Sequence, residues 1–164
     1  AAMNPCRCGH ANDPGLACQR IPQCINEYLA RLSGPLLDRF DIRIEVPPVS
    51  LRDMLSPDSG ESSADIARRV ENAQNIQFNR NQGCLNAYLD GELLRDLARP
   101  DEEGQALIDK ITNEAISSKL TARGYNRIIR VARTIADLDG CEHLAARHIA
   151  SAMVWRGVTS YVKG

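Results

Sequence analysis

From Ser62 to Trp155 the apolar residues of this chain recur at spacings of three and four, and nothing there alternates as a strand does. That pattern confines most of the chain to packed helices. Ser62 or Ser63 can cap a helix running to about Asn79, with Ile66, Val70, Ala73 and Ile76 on one side. Gly83 breaks the pattern. Asp90 can cap a short helix carrying Leu93, Leu94 and Leu97, which Pro100 ends. A longer helix is predicted over Asp101–Leu120, its stripe being Leu107, Ile108, Ile111, Ala115 and Ile116. Another is predicted over Ala122–Leu138, closed by Asp139-Gly140. The last spans Glu142–Trp155 and holds Leu144, Ile149, Ala152, Met153 and Trp155. The expectation is a helical bundle of about 110 residues, without an internal repeat.

The first fifty residues read differently. A short amphipathic helix over Ile25–Leu32, with Ile25, Tyr28, Leu29 and Leu32 on one face, leads into Ser33-Gly34-Pro35-Leu36-Leu37-Asp38-Arg39-Phe40-Asp41. Gly34-Pro35 should stop that helix and turn the chain. The next four residues then form one helical turn, with Leu36, Leu37 and Phe40 available to a core. Ile42, Ile44 and Val46 alternate with Arg43 and Glu45, the period of a half-buried strand, and Pro47-Pro48 ends it. Arg39 would stand on a rigid turn facing outward. There it could reach a phosphate on another molecule or pair with Asp38 or Asp41 as ordinary surface charge. Leu51–Leu55 is at most one helical turn, and the Ser/Pro/Gly-rich run Ser56–Ser63 is the best candidate for a domain boundary.

Four cysteines fall within the first 24 residues, in a loop rich in Gly, Asn and Pro: Cys6, Cys8, Cys18 and Cys24, with His10 nearby. Two readings stand. Such a loop can gain from a tetrahedral zinc the order that it cannot gain from packing. Equally, the spacing departs from paired C-x2-C knuckles, which fits free thiols on a surface loop. No histidine-plus-acid arrangement accompanies these cysteines to suggest thiol catalysis. Asn4, before Pro5, closes an extended apolar stretch and can satisfy local backbone groups or orient a water.

Composition narrows the class. The chain has 164 residues, 43% hydrophobic and 25% charged, with a formal net charge of -1. This is ordinary globular composition, with no apolar run near the roughly 20 residues that span a bilayer and no secretory leader. The expectation is a cytoplasmic protein without a membrane partner. Ala1 stands where an initiator methionine would, so a fragment of a longer chain is expected. Six cysteines without a secretion signal suggest reduced thiols or a metal. The near-neutral total hides uneven segments. Residues 90–109 are strongly acidic, whereas 121–138 hold Arg123, Arg127, Arg130 and Arg133 against Asp137 alone.

On the 122–138 helix, Ile128, Val131, Ala132, Ile135 and Leu138 are expected to form the buried stripe. Arg123, Arg127 and Arg130 recur at i, i+4 and i+7 as a second, basic stripe. Like charges so placed repel by a few tenths of a kcal/mol per pair. Arg123 sits at the amino end, where the helix dipole also favours an anion. The stripe therefore either serves a phosphate or pairs with the acidic 90–109 segment.

Ala2-Met3-Asn4-Pro5-Cys6, then Leu32-Ser33-Gly34-Pro35-Leu36-Leu37-Asp38-Arg39-Phe40-Asp41, then Arg123-Gly124-Tyr125-Asn126-Arg127-Ile128-Ile129-Arg130-Val131-Ala132-Arg133-Thr134-Ile135-Ala136-Asp137-Leu138 together form a recognisable series. In this series the chain resembles the ComM (YifB-type) proteins, magnesium-chelatase-like AAA+ ATPases. The resemblance covers nearly the whole chain and implies a mainly α fold. Residues 1–50 would be the end of an AAA+ α/β core, with short strands and the cysteine-rich loop. Residues 51–61 would be a linker, and 62–164 an all-helical lid. It further implies that Asn4 is the sensor-1 asparagine, Arg39 the arginine finger reaching a neighbouring subunit, and Arg123 the sensor-2 arginine, with Arg127 as the fallback. ATP with Mg²⁺, identical subunits in a hexameric ring, and DNA undergoing branch migration in natural transformation and recombination are the implied ligands and partners. A chelatase-type motor and a non-enzymatic, zinc-stabilised interaction module are the rival expectations. The chain holds no G-x-x-x-x-G-K-[ST] run. By itself it is expected not to hydrolyse ATP.

Overall fold

In the computed structural model the described residues are 1–164 except 5, 12–14, 17–18, 38, 48, 50–53, 56–59, 114–120 and 158–164. Several expectations fall outside them: Pro5, Cys18, Asp38, Pro48, the turn over 51–53, the first half of the boundary run, and Ala115 and Ile116 with the end of their helix. The described part is mainly helical. Its elements are α1 (Gln23–Leu29), α2 (Gly34–Leu37), α3 (Ser63–Arg80), a 3-10 turn (Asn86–Tyr88), α4 (Gly91–Leu97), α5 (Glu102–Asn113), α6 (Ala122–Leu138) and α7 (Ala146–Trp155). Two compact units form, one from Ala1–Phe40 with Ile44–Asp58, the other from Asp41–Arg43 with Ser59–Gly164.

The helix starts of the second unit follow from their caps. Ser62 Oγ accepts from the Asp65 N–H at 3.1 Å, Asp90 Oδ1 from Gly91 at 2.9 Å, and Thr121 Oγ1 from Gly124 at 3.0 Å. α6 is the central element and packs on α7, α3, α4 and the 3-10 turn, while α5 packs on α7. Leu89, Leu94, Ala98, Ile108, Ile111, Ile128, Ile129, Ala132, Ala136, Leu144, Ile149, Ala152 and Met153 form one core. Each fully buried aliphatic side chain among them contributes about 1.5–3 kcal/mol. Gly104 lets α5 lie against the chain at Leu144, since a Cβ there would be driven into the Leu144 carbonyl.

Three expectations are corrected. The buried stripe of α6 is rotated: Ile129, Arg133, Ala136 and Asp137 are buried beside Ile128 and Ala132, Val131 and Ile135 are half-buried, and Leu138 is exposed. The reason is a polar core that a hydrophobicity count cannot see. The last helix starts at Ala146, not Glu142, because Leu144 is held extended: its N–H donates to Arg99 O at 3.1 Å and its carbonyl accepts from Asp101 at 2.9 Å. On α3, Ala73 and Gln77 are buried, yet Ile66 and Val70 stay 44% and 45% exposed, because only the carboxyl half of that helix rests on α6.

The polar core centres on Asp137. Its carboxylate accepts from Arg133 Nε at 3.1 Å, from Arg80 Nη2 at 3.0 Å and from Asn86 Nδ2 at 2.7 Å, with a further bond from Arg80 Nη1. Arg133 completes its own set on the carbonyls of Glu142, at 2.6 Å, and Cys141. Asn86 ties in Gln77, Asn81 and Thr134. Burial pulls the Arg133 guanidinium below its ordinary value, and Asp137 opposes that pull. Asp137→Ala is expected to cost about 3–5 kcal/mol, since it leaves a buried guanidinium unpaired. A urea titration that moved by less than about 1 kcal/mol would show the network to be dispensable.

His148 is the second buried polar group. Its Nδ1 accepts from the Ala145 N–H at 3.1 Å, so the proton of the neutral ring sits on Nε2, which faces Asp139 Oδ2 at 3.2 Å. Burial above all, then Arg147, lowers its pKa below the ordinary 6.5, while Asp139 pulls the other way. A base with a depressed folded pKa contributes stability that is complete above its unfolded value and shrinks as pH falls through it. The thermal midpoint should therefore be flat above about pH 7 and decline below about 6.5. The decline should be shallower in His148→Asn, and equal slopes in the two proteins would remove His148 as its source.

Candidate functional site

The arginine of the short turn is placed by backbone geometry. α2 begins at Gly34, so Gly34-Pro35 opens the helical turn and does not precede it. Proline fits a first helical turn, because the N–H it lacks has no intrahelical partner there. Ser33 accepts the Leu36 N–H through its carbonyl at 3.0 Å and through Oγ at 3.3 Å. Arg39 then closes on Leu36 O at 3.0 Å and Phe40 on Leu37 O at 3.2 Å. Arg39 is exposed, Leu37 and Phe40 are half-buried, and Leu36, expected in a core, is 40% exposed.

The expected strand after it is not formed. Ile42, Ile44 and Val46 are 50%, 66% and 82% exposed, and residues 42–47 have no ladder partner among the described residues. Alternation makes a strand only where a neighbouring chain takes up the backbone N–H and C=O groups. Asp41–Arg43 instead joins the helical unit. Asp41 Oδ1 accepts from Arg127 Nη1 at 2.8 Å, and the Arg43 N–H donates to Trp155 O at 2.7 Å. The expectation that Asp41 serves as Arg39's surface partner thus meets a competitor: this carboxylate is engaged by Arg127.

That contact divides the basic stripe of α6. Arg127 holds Asp41, and Arg130 donates through Nε to Leu89 O at 2.7 Å and lies 3.4 Å from Asp90. Arg130 therefore follows the reading in which the stripe pairs with the acidic 90–109 segment. Arg123 does not. It is exposed in the first turn of α6, directly after the Thr121 cap, with no ion pair among the described residues. A cation beside the unpaired N–H groups of a helix start suits an anionic ligand.

In the first unit, Asn4 is exposed and its side chain lies beside the cysteine turn: a Cβ added at Gly9 would stand 3.7 Å from Asn4 Nδ2. Cys6, Cys8 and Cys24 bring their sulfurs within 4.8 Å of one another. α1 starts at Gln23 and ends at Leu29, so Cys24 sits in its first turn and is buried, while Leu29 of the expected apolar face is exposed. Sequence reasoning missed two functional pairings. Arg127–Asp41 has no local sequence signal, since its members are far apart in the chain. Arg133–Asp137 had one: an i, i+4 acid–base pair flanked by Ala132 and Ala136.

Residues 60–156 match the family described as magnesium chelatase, subunit ChlI C-terminal, and residues 1–54 match magnesium chelatase, subunit ChlI. The chain belongs to this magnesium-chelatase-like family, and within it to the ComM type. It is 38% identical over 159 residues to Competence protein ComM of Haemophilus influenzae, which covers 96% of this chain and 30% of that protein. It is 37% identical over 161 residues to YifB of Escherichia coli, again covering 96% of this chain and 30% of the relative. The chain thus spans 30% of the length of these relatives. No helix among the described residues is long and apolar enough to cross a membrane.

The Thr121 cap fixes where α6 begins, and with it the position of Arg123. Thr121→Ala should cost about 1 kcal/mol of stability, as N-cap losses do. An unchanged urea midpoint would mean that the cap does not hold the helix start.

Proposed function

We propose that this chain carries the arginine finger and two nucleotide sensors of a ring-forming AAA+ motor of the ComM type. Residues 1–50 end its ATPase core, 51–61 link, and 62–164 form the helical lid. Asn4 orients the attacking water. Arg39 reaches the γ-phosphate held by the neighbouring subunit, and Arg123 contacts the γ-phosphate of its own. The ligand is ATP with Mg²⁺, the assembly a hexamer of identical subunits in the cytoplasm, and the work branch migration of DNA in natural transformation and recombination. The observation that carries this reading is the division of the basic stripe. Arg127 and Arg130 are engaged with Asp41, Leu89 and Asp90, which leaves Arg123 as the stripe's exposed cation at a capped helix start. That choice favours Arg123 over Arg127 as the sensor.

The chemistry supports the assignment. Phosphoryl transfer asks the protein for positioning and positive charge more than for a nucleophile, and a finger supplied from outside the site is worth roughly 10³–10⁵ in rate. A chelatase-type motor, in which the same parts drive metal insertion into a tetrapyrrole, is the second reading, favoured by the descriptions of both matched families. A strand-exchange assay beside a chelatase assay on the full-length protein separates the two.

In the full-length protein, Arg39→Ala should abolish most ATPase activity, and wild-type turnover in that variant would overturn the finger assignment. Mixed rings are more discriminating. A neighbour that supplies the finger should restore hydrolysis to a site whose own subunit carries Arg39→Ala, but not to one carrying Arg123→Ala. Arg127→Ala should be the mildest of the three, its partner being a half-exposed carboxylate.

A further inference from the structure

The cysteine turn of the first unit is left unused by the motor reading, and it has the construction of a metal site. Cys6 is fully buried and Cys24 is 8% exposed, and among the described residues of this loop the two thiols cluster with Ala11 as the buried core, with Ile25 packed against it. A core of two thiols and one alanine offers little apolar burial to hold a loop in shape. The backbone nevertheless makes a defined turn: the Gly9 N–H donates to Cys6 O at 3.1 Å, and Gly9 takes φ +84°, a conformation in which a side chain would be strained. This turn brings the Cys6 and Cys8 sulfurs to 3.1 Å, and α1 delivers Cys24 so that all three sulfurs lie within 4.8 Å.

Those separations distinguish the chemistries open to a thiol cluster. Four thiolates at about 2.3 Å from a tetrahedral zinc stand about 3.8 Å apart, whereas bonded sulfurs stand at about 2.05 Å. The observed separations, 3.1 Å for Cys6–Cys8 and no more than 4.8 Å for any pair, are compatible with the first spacing and too long for a formed bond. Arg7, Arg20, Glu27, Tyr28 and Arg31 line a shallow depression with Cys24, in which Arg20 pairs with Glu27 at 3.2 Å. Cys84 and Cys141 lie outside the cluster.

We propose that Cys6, Cys8 and Cys24 bind a structural Zn²⁺ through their thiolates. The ion closes the loop between residues 6 and 24, performs no catalytic step, and releases thiol protons as it binds. The assignment is independent of the motor reading, because it involves no nucleotide-contacting residue.

The test is metal content and thiolate spectroscopy on the full-length protein. Protein purified from zinc-replete cells and dialysed should retain about one zinc per chain, which a mercurial reagent releases as it blocks the thiols. Replacing zinc by Co²⁺ should give the sulfur-to-cobalt charge-transfer band of at least three thiolates. Cys24→Ser should lose the metal and the band, and Cys141→Ser should keep both. Where Cys24→Ser does not fold, the wild-type cobalt spectrum still decides. Dialysed protein without zinc, a cobalt spectrum lacking thiolate charge transfer, or a mass showing a closed Cys6–Cys8 disulfide would each overturn the proposal.

Discussion

The helical unit depends on one buried carboxylate. Asp137 collects bonds from Arg133, Arg80 and Asn86, and so joins α6, α3 and the 3-10 turn at one point. An ion pair removed from water is costly unless every remaining donor is satisfied, and Arg133 meets that condition on the carbonyls that follow α6. Because each bond has a direction, the network fixes the rotation of α6 about its axis more narrowly than greasy packing could. That rotation decides which side chains the helix shows outward. The same turn that carries Arg133 and Asp137 inward leaves Leu138 exposed and puts the basic stripe on the outer face.

The outer face is itself sorted by its neighbours. Arg130 is drawn back to the start of α4, and Arg127 to the three-residue segment Asp41–Arg43 that lies with the helices. Both contacts involve partly exposed groups and add little to stability. Their weight lies in position, since they spend two of three like charges on the protein itself. Arg123, one turn earlier and beside the Thr121 cap, is exposed and has no ion pair among the described residues.

Much of the helical part was legible because caps are local. Ser62, Asp90 and the span Ala122–Leu138 needed only a hydrogen-bonding side chain followed by an apolar period. What the sequence concealed was long-range. Leu144 belongs to an apolar pattern that reads as helix, yet its backbone is spoken for by Arg99 and Asp101. Ile42, Ile44 and Val46 alternate faultlessly and still make no strand, since a ladder needs a second chain segment beside it. At the candidate site the residue types were readable, and the division of labour among three equivalent-looking arginines was not. It turns on Asp41, which is 86 positions from Arg127.

α3 carries a consequence for how this unit opens. Eighteen residues make a rod of about 27 Å. Its carboxyl half is moored by Gln77 and Arg80 to the polar core, while its amino half keeps Ile66 and Val70 half in water. The free half is stiffened chiefly by the Ser62 cap and by exposed pairs such as Arg69–Glu61 at 2.8 Å. Local opening is therefore far cheaper at Asp65 than at Gln77, and the helix behaves as a graded spring with one clamped end. Amide hydrogens along it should exchange in that order, with the steepest change in protection near Ala73, where the rod meets the body that clamps it.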